Sequence, residues 1–220
     1  MGALTQRLYS SLDTLHAIEI DTDLQEQLRL IFPDTTRLQL IGGDALEIDY
    51  RQFGNSLRIL GNLPYNISTP LLLLLSSYSD VIKDMHFMLQ KEVVMRMVGS
   101  PGSKAYGRLS VMLQYHFDIT HLFDVPPEAF HPQPKVDSAI VRLIPHASNP
   151  YGSVDLSVLE KLVAIAFSMR RKTLANNLKP VITAAQLNDL GIDPAIRPEQ
   201  VSIIDFVKIS NFIQDFGIKL

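Results

Sequence analysis

Three apolar runs, each closing on a polar side chain, constrain this chain more than any other feature. Thr14-Leu15-His16-Ala17-Ile18-Glu19-Ile20-Asp21 reads as a strand ending in carboxylates. Leu38-Gln39-Leu40-Ile41 breaks at Gly42-Gly43 and presents Asp44, and Leu57-Arg58-Ile59-Leu60-Gly61 runs into Asn62. Apolar strands alternate with amphipathic segments up to about Ile144, which indicates βα units. Open α/β sheets gather their ligand groups at the carboxyl ends of their strands, where doubly wound nucleotide-binding folds use a carboxylate to grip ribose hydroxyls. Glu19 is the candidate for that role, and Asp44 is placed to accept from an adenine amino group. Taken singly, either is equally a solvated carboxylate at a strand end; their succession, followed by Asn62, weighs against that.

Asn62-Leu63-Pro64-Tyr65 carries the sharpest chemistry. The amino nitrogen of adenine is a poor nucleophile because its lone pair is delocalised into the ring, and it needs acceptors that draw its hydrogens out of plane. The Asn62 side-chain oxygen and the Leu63 carbonyl can accept those hydrogens while Pro64 stiffens the turn that aims them. No strong base is needed. Tyr65 offers a face for the base to stack on, a contact worth roughly 1–3 kcal/mol. Four such residues alone are also an ordinary strand-ending turn, since Asn and Pro favour turns for conformational reasons.

The sequence resembles the ribosomal RNA small-subunit adenine dimethyltransferases of the KsgA/RsmA type. The likeness runs through nearly the whole chain: Gly2-Ala3-Leu4-Thr5, Glu19-Ile20-Asp21, Gly43-Asp44-Ala45, Asn62 to Ser68, Gln90-Lys91-Glu92-Val93, Pro101 to Val111, Phe130 to Ser138 and Ala166 to Leu174. It implies a Rossmann-like class I methyltransferase domain at 1–147 and a small all-α RNA- or ribosome-binding domain at 153–220. It also implies transfer of two methyl groups from S-adenosylmethionine to N6 of each of two adjacent adenosines in the 3′-terminal hairpin loop of 16S rRNA, in the immature small subunit. By motif match, Gly2, Glu19, Ile20, Asp44, Ala45 and Asn62 would bind the cofactor, with Glu19 on its ribose and Asp44 on its adenine. Asn62, Leu63, Pro64 and Tyr65 would form the catalytic loop. Tyr65 and Phe130 would sandwich the flipped base, offsetting the few kcal/mol that extrusion costs. Without the resemblance, Phe130 reads as a core aromatic near a proline-rich turn.

One departure is large. In the family, Gly-Ala-Leu-Thr is the tail of a glycine-rich turn that follows the first strand, whereas this sequence starts at Met1-Gly2. That turn brings backbone amides up to the methionine end of the cofactor. The missing strand belongs in mid-sheet, between those ending at Glu19 and Asn62, and its loss would leave buried backbone groups unpaired at about 1–3 kcal/mol each. The expectation is therefore a truncated or mis-started chain that binds S-adenosylmethionine weakly or not at all.

Composition sets the remaining bounds. At 220 residues and 46% hydrophobic content the chain can bury a sizeable core. It has no cysteine, so disulfides and thiolate metal sites are out, and a reducing cytoplasm is the natural compartment. The six histidines lack ligand spacing, and no metal is expected. Apolar runs such as Leu71 to Leu75 are too short for a bilayer, and no targeting signal appears. A cytosolic monomer is expected.

A net charge of −3 is awkward for an RNA enzyme, because phosphate neutralisation dominates affinity. Residues 1–60 carry nine acids against five bases, but Ser153 to Pro180 sets Asp155 and Glu160 against Lys161, Arg170, Arg171, Lys172 and Lys179. A second basic segment, Lys91 to Arg108, holds Lys91, Arg96, Lys104 and Arg108 and is interrupted by Gly99, Pro101, Gly102 and Gly107, which suggests a mobile loop near the site. Both stretches also read as plain solvated faces; Arg170-Arg171-Lys172, on a predicted helix, is the better RNA contact.

Pro145 to Ser153 forms a turn-rich linker, beyond which Leu156, Leu159, Leu162, Val163 and Phe167 recur with helical spacing. Two other functions fit parts of this pattern: an N6-adenine methyltransferase acting on another RNA or on DNA, and a non-catalytic ribosome-assembly factor.

Overall fold

The computed structural model describes residues 2–64, 66–131, 133–169 and 171–219, without the side chain of Ala3. The chain divides into two compact units, Met1–Gln52 and Phe53–Leu220.

The first unit opens with helix α1 (Ala3–Tyr9), followed by β1 (Leu15–Glu19), α2 (Thr22–Ile31) and β2 (Leu38–Gly42). Strands β1 and β2 pair in parallel, with Glu19 opposite Gly42. Asp21 ends the first run and starts α2, its carboxylate accepting from the backbone N–H groups of Asp23 and Leu24 at 2.9 and 3.0 Å. A carboxylate there satisfies amides that the first helical turn leaves unpaired and complements the helix dipole.

The second unit holds a four-stranded sheet, in the order β3 (Leu57–Asn62), β4 (Ile82–Gln90), β6 (Ser138–Pro145), β5 (Phe117–Val125). The β3–β4 pair is parallel; β6 runs antiparallel to both β4 and β5. Burial in β3 alternates strictly, so Leu57, Ile59 and Gly61 lie on the better-covered face and Arg58, Leu60 and Asn62 on the exposed one. Helix α3 (Ser68–Ser76) contains the Leu71–Leu75 run and buries Leu71, Leu72 and Leu75; Pro70 is tolerated because it falls in the first turn. Helices α4 (Lys91–Met97) and α5 (Arg108–His116) follow β4.

The linker at 145–153 leads to α6 (Leu156–Ala166), α7 (Leu174–Leu178), α8 (Ala184–Asp189) and α9 (Ile203–Asp215). Each begins at a side-chain cap: Asp155, Thr173, Thr183 or Ser202. Their apolar faces share one core with Tyr106 and with Val111, Met112 and Tyr115 of α5. The helices therefore belong to the same compact unit as the four-stranded sheet. Among the described residues no helix is long and apolar enough to cross a membrane.

Two sequence expectations need correction. Of the segment Lys91 to Arg108, expected as a mobile loop, Lys91–Met97 is helix α4 and 98–107 is held at several points. Gln114 donates to the carbonyls of Met97 and Gly99, Gly102 N–H donates to Glu199 O at 2.7 Å, and the buried Tyr106 hydroxyl donates to Val201 O. Arg171 and Lys172, expected on a helix, lie in the turn between α6 and α7. There Lys172 N–H bonds Met169 O, Asn177 donates to the same carbonyl, and Thr173 caps α7, so the chain is committed to a new helix start.

Candidate functional site

Within the first unit, Glu19 and Asp44 stand at the carboxyl ends of adjacent parallel strands. Gly43 N–H donates to Glu19 O at 3.1 Å, joining the two strand ends. The Glu19 carboxylate is half-buried and oriented by the Asp21 N–H, which donates to Oε1 at 3.0 Å; Asp44 Oδ1 likewise accepts from Leu46 N–H at 2.9 Å. One oxygen of each carboxylate is thus spent on positioning. Ile20 is 66% exposed beside Glu19, and Ala45 O accepts from the Tyr50 hydroxyl.

Gln25, absent from the sequence candidates, braces this corner. Its amide donates to Glu19 O at 2.9 Å and its oxygen accepts from Arg29, while a Cβ at Gly42 would lie 2.8 Å from that oxygen. The double glycine is therefore more than a strand breaker: Gly42 makes room for Gln25. A lone Gln on an amphipathic helix carries no signal of this role. Gly2 adopts φ +66° at the start of α1, a conformation favouring glycine.

Within the second unit, Asn62 is the last residue of β3, exposed, and its side chain bonds no described residue. The turn that follows is fixed around it: Leu63 is buried and its N–H reaches Met88 O at 3.3 Å, and Ile67 N–H closes on Pro64 O at 3.2 Å. No described donor bonds the Leu63 carbonyl. Among the described residues nothing occupies these two acceptors at the strand end. Tyr65 lies outside the described residues.

Sheet register brings Phe130 to the same end. Asn62 pairs with Met88 on β4, Gln90 pairs with Ser138 on β6, and Ser138 with Val125 on β5, so the connection 126–137 leaves and re-enters the sheet at the carboxyl end of β3. Phe130 is half-exposed on that connection and is not among the buried core residues.

The basic candidates divide. Lys91 Nζ pairs with Asp124 Oδ2 at 2.7 Å, and Arg108 with Glu160 at 2.9 Å. The hydrogen bond between Lys91 and Asp124 holds the ammonium pKa above and the carboxyl pKa below the usual values. Lys104, Arg171 and Lys172 are exposed and have no ion-pair partner among the described residues; Arg170 lies outside them. Among the described residues no three His, Cys, Asp or Glu side chains cluster as metal ligands.

The profile of the family described as Ribosomal RNA adenine dimethylase matches residues 1–215 of the chain. The chain belongs to that family. A relative from Legionella pneumophila (strain Lens), named Ribosomal RNA small subunit methyltransferase A, is 60% identical over 98% of this chain and 84% of its own length. The protein of the same name from Chromobacterium violaceum is 51% identical over 99% of this chain and 83% of that relative. A dimethyladenosine transferase from Plasmodium falciparum superposes with TM-score 0.81 at 26% identity, over 99% of this chain and 88% of that one. The 23S rRNA methyltransferase ErmE shares the fold, with TM-score 0.71 at 22% identity over 97% of this chain and 87% of its own.

Proposed function

We propose that this chain is an S-adenosylmethionine-dependent adenine N6,N6-dimethyltransferase acting on two adjacent adenosines in the 3′-terminal hairpin loop of 16S rRNA, as a monomer, on the immature small subunit in the cytoplasm. Residues 1–147 form the methyltransferase domain and 153–220 the RNA- and ribosome-binding domain. The observation that carries this reading is the open acceptor pair at the end of β3, Asn62 Oδ1 and Leu63 O, on a turn held by Leu63 N–H and Pro64.

The residues present fit the cofactor. Glu19, with one oxygen fixed by Asp21 N–H, keeps acceptor capacity for a ribose hydroxyl pair, and Asp44 on the neighbouring strand keeps the same for an adenine amino group. By motif match, Gly2, Ile20, Ala45 and Asn62 are assigned to the cofactor as well. S-adenosylmethionine, when bound, supplies an electrophilic methyl group. Asn62 and Leu63 O accept the N6 hydrogens of the target adenosine, two before the first transfer and one before the second, draw them out of the ring plane and return the lone pair to nitrogen, and the proton lost at each transfer passes to solvent. Pro64 keeps those acceptors aimed, and Tyr65 and Phe130 hold the flipped base between aromatic faces. Lys104, Arg170, Arg171 and Lys172 contact RNA phosphates, whereas Lys91 and Arg108, expected in the same set, are each paired to a carboxylate.

Transfer of radiolabelled methyl from S-adenosylmethionine to small subunits isolated from cells lacking the modification tests this reading. Label confined to two adjacent adenosines near the rRNA 3′ end is the expected result. Label on naked duplex instead would give another adenine methyltransferase, and subunit binding without transfer a non-catalytic assembly factor.

A further inference from the structure

Lys91 touches both stems of the connection that carries Phe130. At the start of α4, its ammonium reaches Asp124, one residue before β5 ends, while its backbone N–H donates to Asp137 O at 2.9 Å, one residue before β6 begins. Asp124 is fixed from its other side by His121, whose Nε2 lies 2.9 Å from Oδ1. Between the stems the connection has little of its own to hold it. Within 126–137, two turn bonds, Ala129 N–H to Pro126 O and Phe130 N–H to Pro127 O, are its only internal backbone hydrogen bonds among the described residues. Its aim is therefore set where the stems leave the sheet.

We infer that Lys91 is a positioning residue for Phe130: it braces β5 and β6 at the mouth of the connection and thereby fixes the direction of the aromatic face. This rests on the base-stacking role given to Phe130 above. The brace also accounts for the Lys91 charge without a phosphate. The Lys91 side chain is 39% exposed and that of Asp124 44%, and the lowered Asp124 and raised Lys91 pKa values agree that the pair is ionised on both sides across the neutral range. A cleft of about 450 Å³ lined by Gln90, Lys91, Glu92, Lys135, Val136 and Asp137 opens beside it, so the side chain has room to swing out if its partner is removed.

The chain has no tryptophan, so Phe130→Trp creates a single fluorescent reporter on the connection. In that background Lys91→Met and Asp124→Asn are expected to raise the amplitude of nanosecond depolarisation to a similar extent, with Lys91→Arg staying close to the parent. In the Phe130 background, both pair-breaking variants are expected to lower kcat about threefold to tenfold, with KM for the subunit and the salt slope of RNA binding unchanged and Lys91→Arg restoring the rate. An unchanged depolarisation in Lys91→Met overturns the brace. So does a salt slope reduced by about one in Lys91→Met but not in Asp124→Asn, which would place Lys91 on a phosphate. Phe130→Leu separates the two levels: full methyl transfer by that variant would sink base stacking while leaving the depolarisation test of the brace intact.

Discussion

The backbone N–H of Gly43 donates to the carbonyl of Glu19, so the end of β2 is fastened to the end of β1 at the point where both strands present a carboxylate. With Asp21 N–H already on Glu19 Oε1, the charge of the second oxygen matters most for a ribose diol. Glu19→Gln keeps an acceptor but replaces a carboxylate oxygen with a donor. Calorimetry should show affinity for S-adenosylmethionine falling about tenfold to a hundredfold, as for loss of a hydrogen bond to a charged group.

Asn62 bonds no described residue and is exposed, so its removal should cost function and leave the fold alone. Asn62→Ala is expected to reduce kcat about 10²- to 10³-fold, in line with loss of one preorganised group at a reacting centre. Its unfolding free energy should stay within about 0.5 kcal/mol of the parent. Urea titration alongside the methylation assay checks both.

Gly99 has no room for a side chain. An added Cβ would lie 2.9 Å from Tyr106 N and 3.1 Å from Ala105 C, and these are backbone atoms of a held segment. Gly99→Ala should destabilise by about 1–3 kcal/mol. Gly107→Ala, with open space around the added carbon and an extended backbone, should stay within about 0.5 kcal/mol. The two urea midpoints provide the comparison.

Burial, aided by the nearby His146, lowers the pKa of His116 from 6.5 to about 4. The unfolded chain therefore binds a proton between these values that the folded chain refuses, so stability falls as pH drops from about 6.5 towards 4. Partial exposure limits the effect to no more than about 3 kcal/mol. In His116→Gln this part of the acid sensitivity should vanish, as read from urea midpoints at pH 7 and pH 4.5.

Arg171 and Lys172 have no described carboxylate partner, unlike Lys208, which pairs with Asp205 at 2.9 Å. Arg171→Ala with Lys172→Ala should weaken RNA binding and reduce the magnitude of the log–log salt slope by about 1.5–2. Lys208→Ala should leave the slope unchanged. Equal slopes in all three proteins would remove the turn from the RNA interface.

What was legible in the sequence was local. The runs ending at Glu19, Asp44 and Asn62 are short apolar stretches whose termini are marked by glycines or carboxylates, and the strands end where those marks fall. What escaped depends on partners far along the chain. Lys91 looks like a free cation until Asp124, 33 residues on, is brought beside it by strand pairing. The glycine-rich segment 98–107 looks loose until Glu199 and Val201 of the helical region are seen to accept from Gly102 and Tyr106. Arg171 and Lys172 follow a strong helical period, and only the cap at Thr173 reveals that the period has been interrupted.

Because α5 contributes Val111, Met112 and Tyr115 to the core of the C-terminal helices, and Tyr106 is anchored to Val201, the natural seam for grafting does not lie at the 145–153 linker. Chimeras that exchange only residues 153–220 between relatives would confront one protein's helices with another's α5. Successful hybrids should have to carry residues 98–116 along with the tail, making the exchangeable unit a discontinuous one.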